Sequence, residues 1–168
     1  RNILGDGAAH YHRRDSVSMR KAYLLTWNSK RWPWPELGEE ARRVAAGEMV
    51  TSRWGCGRNK HIQAGDRLVL PKQGAEPRGI FASGTAMPRP FRAPHWDEEK
   101  ALLGVPANYI EMQFDTLLIP EETLLRRDLL KGHPILGQQY WDTQVSGISI
   151  KTAVLPELED FWTGTVGF

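Results

Sequence analysis

Two strand-forming segments joined by a short turn lie in the middle of the sequence. The first is GDRLVLPKQ (65–73) and the second is RGIFASGTAM (78–87). The turn region GAEPRG (74–79) supplies the glycine and proline that a tight connection requires. Apolar runs of this length, separated in this way, are typical of a β-hairpin, so the sequence predicts a protein built on a sheet.

Further strand and helix signals flank this hairpin. The apolar run 21–28 predicts a buried strand, the alternating segment 107–119 predicts the longest strand, and 141–150 predicts a loop that enters a strand. Helical composition occurs at 35–47, 97–104, 121–132 and 151–162, whereas 51–59 and 88–96 have the composition of loops. No βα unit repeats. The pattern predicts an α+β fold, with a mixed, mainly antiparallel sheet or small barrel flanked by short helices.

Length and composition indicate one unstapled domain. Residues 1–18 show no sustained period and are expected to be a flexible extension or an appended leader, with Met19 a plausible start and 19–168 a single domain. The sequence contains no apolar run of membrane-spanning length and no signal peptide. A single cysteine excludes an internal disulfide, and the five histidines lack zinc-ligand spacing. We expect a cytoplasmic protein without metal or cofactor.

Charge is distributed unevenly along the chain. The formal charge is +9 over residues 1–92 and −7 over residues 93–168, which leaves a net charge of +2. Such an asymmetry is typical of a protein with one surface for a polyanion. The alternative is that the two signs intermix on folding and form an ordinary solvated surface.

The sequence offers no complete catalytic motif. Cys56, between Gly55 and Gly57, could act as a nucleophile with His61 as its base, but their spacing alone does not establish that geometry. The glycine-containing strings lack the Walker lysine and the Rossmann pattern. Paired acids at 98–99 and 121–122 lie where helices are predicted to begin, as the helix dipole favours. A binding protein is therefore favoured over an enzyme.

The aromatic and basic residues suggest what is bound. Binding a single exposed base requires flat side chains for stacking, polar groups for the base edge and cations for the phosphates. Four tryptophans lie at strand ends or in polar loops: Trp27, Trp54, Trp96 and Trp141. Trp54 is the least core-like of all seven tryptophans, whereas Trp32 and Trp34 are expected to pack a loop onto the domain and Trp162 to lie in the core. The expected contacts with the nucleic-acid backbone are Lys30, Arg31, Ser52, Arg53, Arg58, Asn59, Lys60, His61, Lys72 and Arg89.

Several motifs resemble the EVE domain of the PUA superfamily. AYLLTWN and GDRLVLPKQGAEPRGIFASG carry this resemblance, which extends from about Lys21 to Phe161. TWNSKRWPW, RWGCGRNKHI, APHW and WDTQVSGI look like the EVE-like N-terminal domains of modification-dependent HNH restriction endonucleases. The related YTH readers of methylated RNA share the layout. In that layout Trp54 and the pair His95–Trp96 fall at the positions of the cage tryptophans.

The resemblance implies a compact barrel that flips a modified cytosine, 5-methylcytosine or 5-hydroxymethylcytosine, from duplex DNA into an aromatic cage. The base pocket would comprise Trp27, Asn28, Ser29, Trp54, Gly55, Trp96, Asp142, Thr143 and Gln144. The sequence contains no H-N-H metal motif, so the nuclease domain that such a reader would target is expected outside this chain. Two alternatives stay open: a PUA-like module that binds a modified nucleotide in RNA, and an enzyme that uses Cys56.

Overall fold

A large mixed sheet dominates the fold. The computed structural model describes residues 20–87, 91–104 and 106–167. Within these ranges the strands are β1 (Ala22–Leu24), β2 (Trp27–Asn28), β3 (Thr51–Gly55), β4 (Arg67–Gln73), β5 (Gly79–Ala86), β6 (Phe91–Pro94), β7 (Pro106–Leu117), β8 (Leu125–Arg126) and β9 (Ile148–Ser149). The helices are α1 (Leu37–Ala45), α2 (Glu98–Leu102), α3 (Arg127–Gly132) and α4 (Leu155–Val166), with a 3₁₀ turn at Leu136–Gln138.

The strand order follows from one central hairpin. The main path of the sheet is β3-β7-β5-β4-β1-β9, with β2 paired to β4, β6 to β7 and β8 to β5. Strands β1 and β2 run parallel to β4, and the other pairings are antiparallel. The predicted α+β class, the mainly antiparallel sheet and the β4–β5 hairpin are thus confirmed. Among the described residues β3 and β9 do not pair with each other, so the sheet is not closed into a barrel.

Apolar side chains cover both faces of the sheet. On one face, Phe81 of β5 and Leu70 of β4 pack with Leu37 of α1 in a cluster that also contains Trp27. On the other face, a second cluster joins the sheet to α3, α4 and the 3₁₀ turn; its members include Val69, Ile80, Leu130, Leu136, Trp141, Leu158 and Trp162. Successive strand residues alternate between faces, which explains why neighbours such as Val69 and Leu70 belong to different clusters. The core position predicted for Trp162 is confirmed.

Three predicted elements differ from the structure. Residues 51–55 form strand β3 rather than a loop, because the segment pairs along its whole length with β7. Residues 91–94 form the edge strand β6 despite Pro94, which lies at its end, where a missing N–H is tolerated. The helix predicted at 121–132 begins only at Arg127, because Leu125 is buried and pairs with Ile80 of β5.

The predictions for the N-terminal leader and for Arg89 concern residues that the structure does not describe. The leader 1–18, Met19 and Arg89 lie outside the described residues. In the part of the chain that is described, no helix is long and apolar enough to cross a membrane.

Candidate functional site

A cleft of about 730 Å³ opens where β2, β3 and β7 meet four loops, which contribute lining residues at 31–34, 57–58, 95–96 and 144–146. Five of the seven tryptophans line this space, which we call the aromatic cleft: Trp27, Trp32, Trp34, Trp54 and Trp96. Tyr109 of β7 is a sixth aromatic lining residue. The other two tryptophans, Trp141 and Trp162, lie in the core on the opposite face of the sheet.

The inner wall of the cleft is anchored in the core. Trp34 lies edge-on to Trp27 and to Trp54, with ring centroids 5.5 and 5.4 Å apart. Phe81 of the central strand lies beneath two of them, 5.4 Å from Trp27 and 6.0 Å from Trp34. Trp34 also donates a hydrogen bond of 2.9 Å to Glu40 of α1. Because each inner ring packs against its neighbours, this wall is formed by contacts within the protein itself.

The outer wall is a more exposed aromatic pair. Trp32 and Trp96 meet edge to face at 4.7 Å, and each is about 40% exposed (40% and 41%). The His95 ring lies 4.6 Å from Trp96, and the Trp32 carbonyl accepts a 2.8 Å hydrogen bond from Trp27 Nε1. A Cβ on Gly55 would lie 3.6 Å from Trp96 Nε1, so the strand that carries Trp54 passes directly beside Trp96. The two tryptophans predicted to form a cage therefore line the same cleft.

Three arginines contribute positive charge to this cleft. The Arg53 guanidinium lies 4.6 Å from the Tyr109 ring centroid, and that of Arg31 lies 5.0 Å from the Trp96 centroid. Stacking on a ring holds a guanidinium in place and leaves its in-plane N–H donors available. Arg31 is also 3.9 Å from Asp97, whereas Arg53 and Arg58 form no ion pair with any described residue. These two cations are available to an anionic ligand.

Two glycine-containing turns interlock at the rim of the cleft. Gly147 has φ of 86°, and a Cβ there would lie 2.2 Å from the Cys56 carbonyl oxygen. Gly57 has φ of 61°, and its Cβ would lie 2.7 Å from the Ser146 carbonyl oxygen. Only glycine allows the two backbones to approach this closely. The segment 143–147, which we call the rim loop, is therefore locked against the turn that carries Arg58.

Most of the predicted base-pocket residues meet in the aromatic cleft. Those that line it are Trp27, Asn28, Trp54, Gly55, Trp96 and Gln144. Ser29 lies outside the lining and donates to the Gln73 carbonyl, whereas Thr143 is buried and bonds both backbone groups of Val145. Both side chains therefore shape the loops around the cleft.

Asp142 is held by helix α3 and does not line the cleft. Arg127 Nε donates to its Oδ1, and Lys131 Nζ donates to its Oδ2 at 2.6 Å. The hydrogen bond from Arg127, with help from Lys131, lowers the pKa of Asp142 to about 2. The carboxylate is thus ionised at neutral pH and ties the rim loop to α3.

The predicted backbone contacts divide into two groups. Arg31, Ser52, Arg53 and Arg58 line the cleft, whereas Lys30, Asn59, Lys60, His61 and Lys72 do not. Asn59 donates to the Gly147 carbonyl at 2.8 Å and so fastens the rim.

The prediction that Lys72 contacts a phosphate is wrong. Its side chain is only 3% exposed; it donates to the Ala75 carbonyl and lies 6.0 Å from the Trp27 ring centroid and 3.8 Å from Glu121. Trp141, which the sequence also suggested for stacking, is 3% exposed and donates its indole N–H to the Leu136 carbonyl.

Cys56 lacks the properties of a nucleophile. The side chain is fully buried, and burial raises the pKa of its thiol to about 11. A thiol with such a pKa is protonated at neutral pH, so it cannot provide the thiolate that attack requires. The described residues also contain no cluster of three or more His, Cys, Asp or Glu side chains that could hold a metal ion.

Sequence reasoning missed several lining residues. They are Thr26, Trp32, Pro33, Trp34, Gly57, Ala107, Asn108, Tyr109, Val145 and Ser146, with His95 recognised only as the neighbour of Trp96. Tyr109 had a usable signal, since it lies on the strongly alternating strand β7. It could be connected to Arg53 only once β3 was known to pair with β7.

Comparisons with known proteins give a fold and no function. No protein-family model and no curated protein matches the sequence. Among solved structures, the chain is similar to a hypothetical protein from Leishmania major, with a TM-score of 0.58 and 13% identity over 86% of this chain and 96% of that one. It is also similar to a protein from Pseudomonas syringae, with a TM-score of 0.56 and 14% identity over 83% and 97% of the two chains. A protein from Pseudomonas putida gives a TM-score of 0.54 and 10% identity over 83% and 98%. At these identities the likeness concerns the fold alone.

Proposed function

We propose that this chain is a reader of modified DNA that binds one base, flipped out of the duplex, in the aromatic cleft. The observation that carries the proposal is the gathering of five of the seven tryptophans around one open space, together with Arg31, Arg53 and Arg58. Aromatic side chains that serve only the core are buried, whereas Trp32 and Trp96 at this opening are 40% and 41% exposed. Flat walls beside three guanidinium groups, of which those of Arg53 and Arg58 have no ion-pair partner among the described residues, suit a ligand that is itself flat and carries phosphate.

The energetics of such a site are favourable. Stacking a base on aromatic side chains contributes about 1–3 kcal/mol, which offsets a large part of the cost of unstacking it. The inner wall is already held by Phe81 and Glu40, so little ordering is required on binding. The side chains of Asn28, Ser52 and Gln144 line the same cleft and supply polar groups for a base edge.

The preferred base in this proposal is 5-methylcytosine or 5-hydroxymethylcytosine. An added methyl group gains about 1 kcal/mol from apolar contact inside an aromatic enclosure, which unmodified cytosine forgoes. The resemblance to EVE domains supports the same choice, and with it a cytoplasmic restriction system and an HNH nuclease domain as the effector. In this scheme the chain contributes specificity and the effector contributes cleavage.

The decisive experiment is a binding titration with matched ligands. Fluorescence anisotropy would compare labelled duplexes that carry one central cytosine, 5-methylcytosine or 5-hydroxymethylcytosine, together with an RNA oligomer containing 5-methylcytosine. We expect tighter binding to a modified DNA duplex than to the unmodified one. Equal affinity for all DNA duplexes would refute the proposal, and tighter binding to the RNA would favour the RNA-binding alternative.

A further inference from the structure

The rim loop presents an exposed apolar side chain at the mouth of the cleft. Val145 lines the cleft and is nevertheless 55% exposed. The outer-wall side chains Trp32 and Trp96 are also exposed, but they pack against each other and beneath Arg31. The Cγ1 atom of Val145 lies beside Gly57 on the neighbouring turn.

Hydrogen bonds hold the backbone of the rim loop on both sides of Val145. The Thr143 hydroxyl accepts a 3.1 Å hydrogen bond from Val145 N and lies 3.1 Å from its carbonyl oxygen. The next residue, Ser146, accepts a 2.8 Å hydrogen bond from the Thr26 backbone N–H. Gly147 N donates to the Leu24 carbonyl of β1 at 2.7 Å. Because hydrogen bonds hold the loop on both sides of Val145, little ordering of this loop is required when it contacts a ligand.

A flipped base leaves a gap in the duplex directly outside the site that receives it. The base reaches the cleft through its mouth, so side chains on the rim face the strand from which the base came. Proteins that distort DNA commonly insert an apolar side chain between base steps, which replaces part of the lost stacking. Arg58 is exposed on the turn against which the rim loop is locked, so its guanidinium is available to a backbone phosphate beside such a gap.

We propose that Val145 enters the duplex and occupies the stacking position vacated by the flipped base. This inference rests on the proposed function, because it requires that a base be flipped. In this arrangement Val145 contacts the base pairs that flank the gap in the duplex, whereas the tryptophans contact the flipped base.

The test compares two DNA duplexes that differ only in whether a gap forms. In the first, 5-hydroxymethylcytosine is paired with guanine. In the second, the same base is an unpaired single-nucleotide bulge, whose removal from the helix leaves the flanking pairs stacked and no space to fill. Val145→Ala removes two methyl groups and is expected to weaken binding to the paired duplex about 10-fold, with less than about 2-fold loss on the bulged duplex. Val145→Leu, which keeps an apolar tip, should restore binding to the paired duplex.

The matched control is Leu102→Ala on α2. Leu102 is 88% exposed and does not line the cleft, so this variant should bind both duplexes as the wild-type protein does. Equal changes on the two duplexes for Val145→Ala, including no change on either, would overturn the inference and leave the proposed function intact. So would a wild-type protein that fails to bind the bulged duplex. If the wild-type protein does not distinguish modified from unmodified paired DNA, the proposed function itself fails, and this inference with it.

Discussion

At the scale of single residues, substitution of two tryptophans with opposite surroundings should separate effects on binding from effects on stability. Trp96 is 41% exposed at the outer wall, whereas Trp141 is 3% exposed and its indole donates a 2.7 Å hydrogen bond to the Leu136 carbonyl. Trp96→Ala should weaken binding of modified DNA roughly 5- to 100-fold, with only a small change in stability. Trp141→Ala should lower the free energy of unfolding by about 3–5 kcal/mol.

Urea denaturation and anisotropy titration would be run on both variants. The hypothesis requires that Trp96→Ala loses binding affinity and that Trp141→Ala loses stability. If Trp96→Ala lost stability without losing binding, the outer wall would be packing and not a ligand site.

Cys56 provides a second test at this scale. Because burial raises the pKa of its thiol to about 11, the thiol should be protonated and inaccessible at pH 8. A chromogenic disulfide reagent should therefore label the native protein only as fast as the protein opens, and label it at once in denaturant. Rapid labelling of the native state would revive the hypothesis of a reactive cysteine.

The residues that sequence reasoning placed correctly and incorrectly differ in a physical way. Trp54 was recognisable because a large aromatic between arginine and glycine has little reason to lie in a core, whereas Trp96 was assigned through the resemblance, in which the pair His95–Trp96 falls at a cage position. Lys72 was misplaced because its position within β4 turns it inward, where it is 3% exposed beneath Trp27. Composition reports which charges exist, but only strand register decides which of them face solvent.

At the scale of elements, Asp142 links the rim loop to helix α3. Its pKa of about 2 lies below the usual unfolded value of about 3.9, mainly because of the hydrogen bond from Arg127. A lowered pKa means that the ionised form stabilises the fold; this contribution is complete above about pH 4 and is lost as the pH falls toward 2. Asp142→Asn should therefore be less stable than the wild-type protein at pH 7, and the difference should shrink between pH 4 and 2.

Thermal melts of the two proteins across this pH range would provide the measurement. A difference that stays constant with pH would show that the interaction of Asp142 with Arg127 and Lys131 does not depend on its charge. Binding at pH 7 gives an independent readout, because a loosened rim loop should also weaken binding to modified DNA.

Element prediction succeeded where the period was strong and failed where tertiary pairing decided. The β4–β5 hairpin and β7 have clear apolar runs or alternation, and all three were predicted. Strand β3 was not, because its five residues contain one apolar side chain, Trp54, and end at a glycine. The segment extends because β7 offers it a pairing partner. The partner strand β7 lies some 60 residues farther along the sequence, so the local pattern of β3 does not reveal this pairing.

At the scale of the whole molecule, the uneven charge is partly neutralised by folding. Cations from the basic half pair with acids from the other half in Arg31–Asp97, Arg67–Asp115, Arg67–Glu159 and Lys72–Glu121. The expectation that the two signs intermix is therefore partly right. Arg53 and Arg58 have no ion-pair partner among the described residues, and both line the aromatic cleft. The positive charge that folding leaves available there is what a polyanion would meet.

This distribution predicts how binding depends on salt. If Arg53 and Arg58 contact phosphates, Arg53→Gln and Arg58→Gln should each weaken binding to modified and unmodified duplexes by a similar factor. Each should also reduce the slope of log K against log salt by about 0.9, because one fewer counterion is released. Arg42→Gln on α1 removes the same charge from an exposed position outside the cleft and should leave the slope unchanged. Anisotropy titrations from about 50 to 200 mM salt would measure the three slopes.

Equal slopes for all three variants would mean that the protein attracts DNA through its overall charge. A loss confined to Arg53→Gln and Arg58→Gln would mean that the backbone is held at the mouth of the cleft, where a flipped base has to enter.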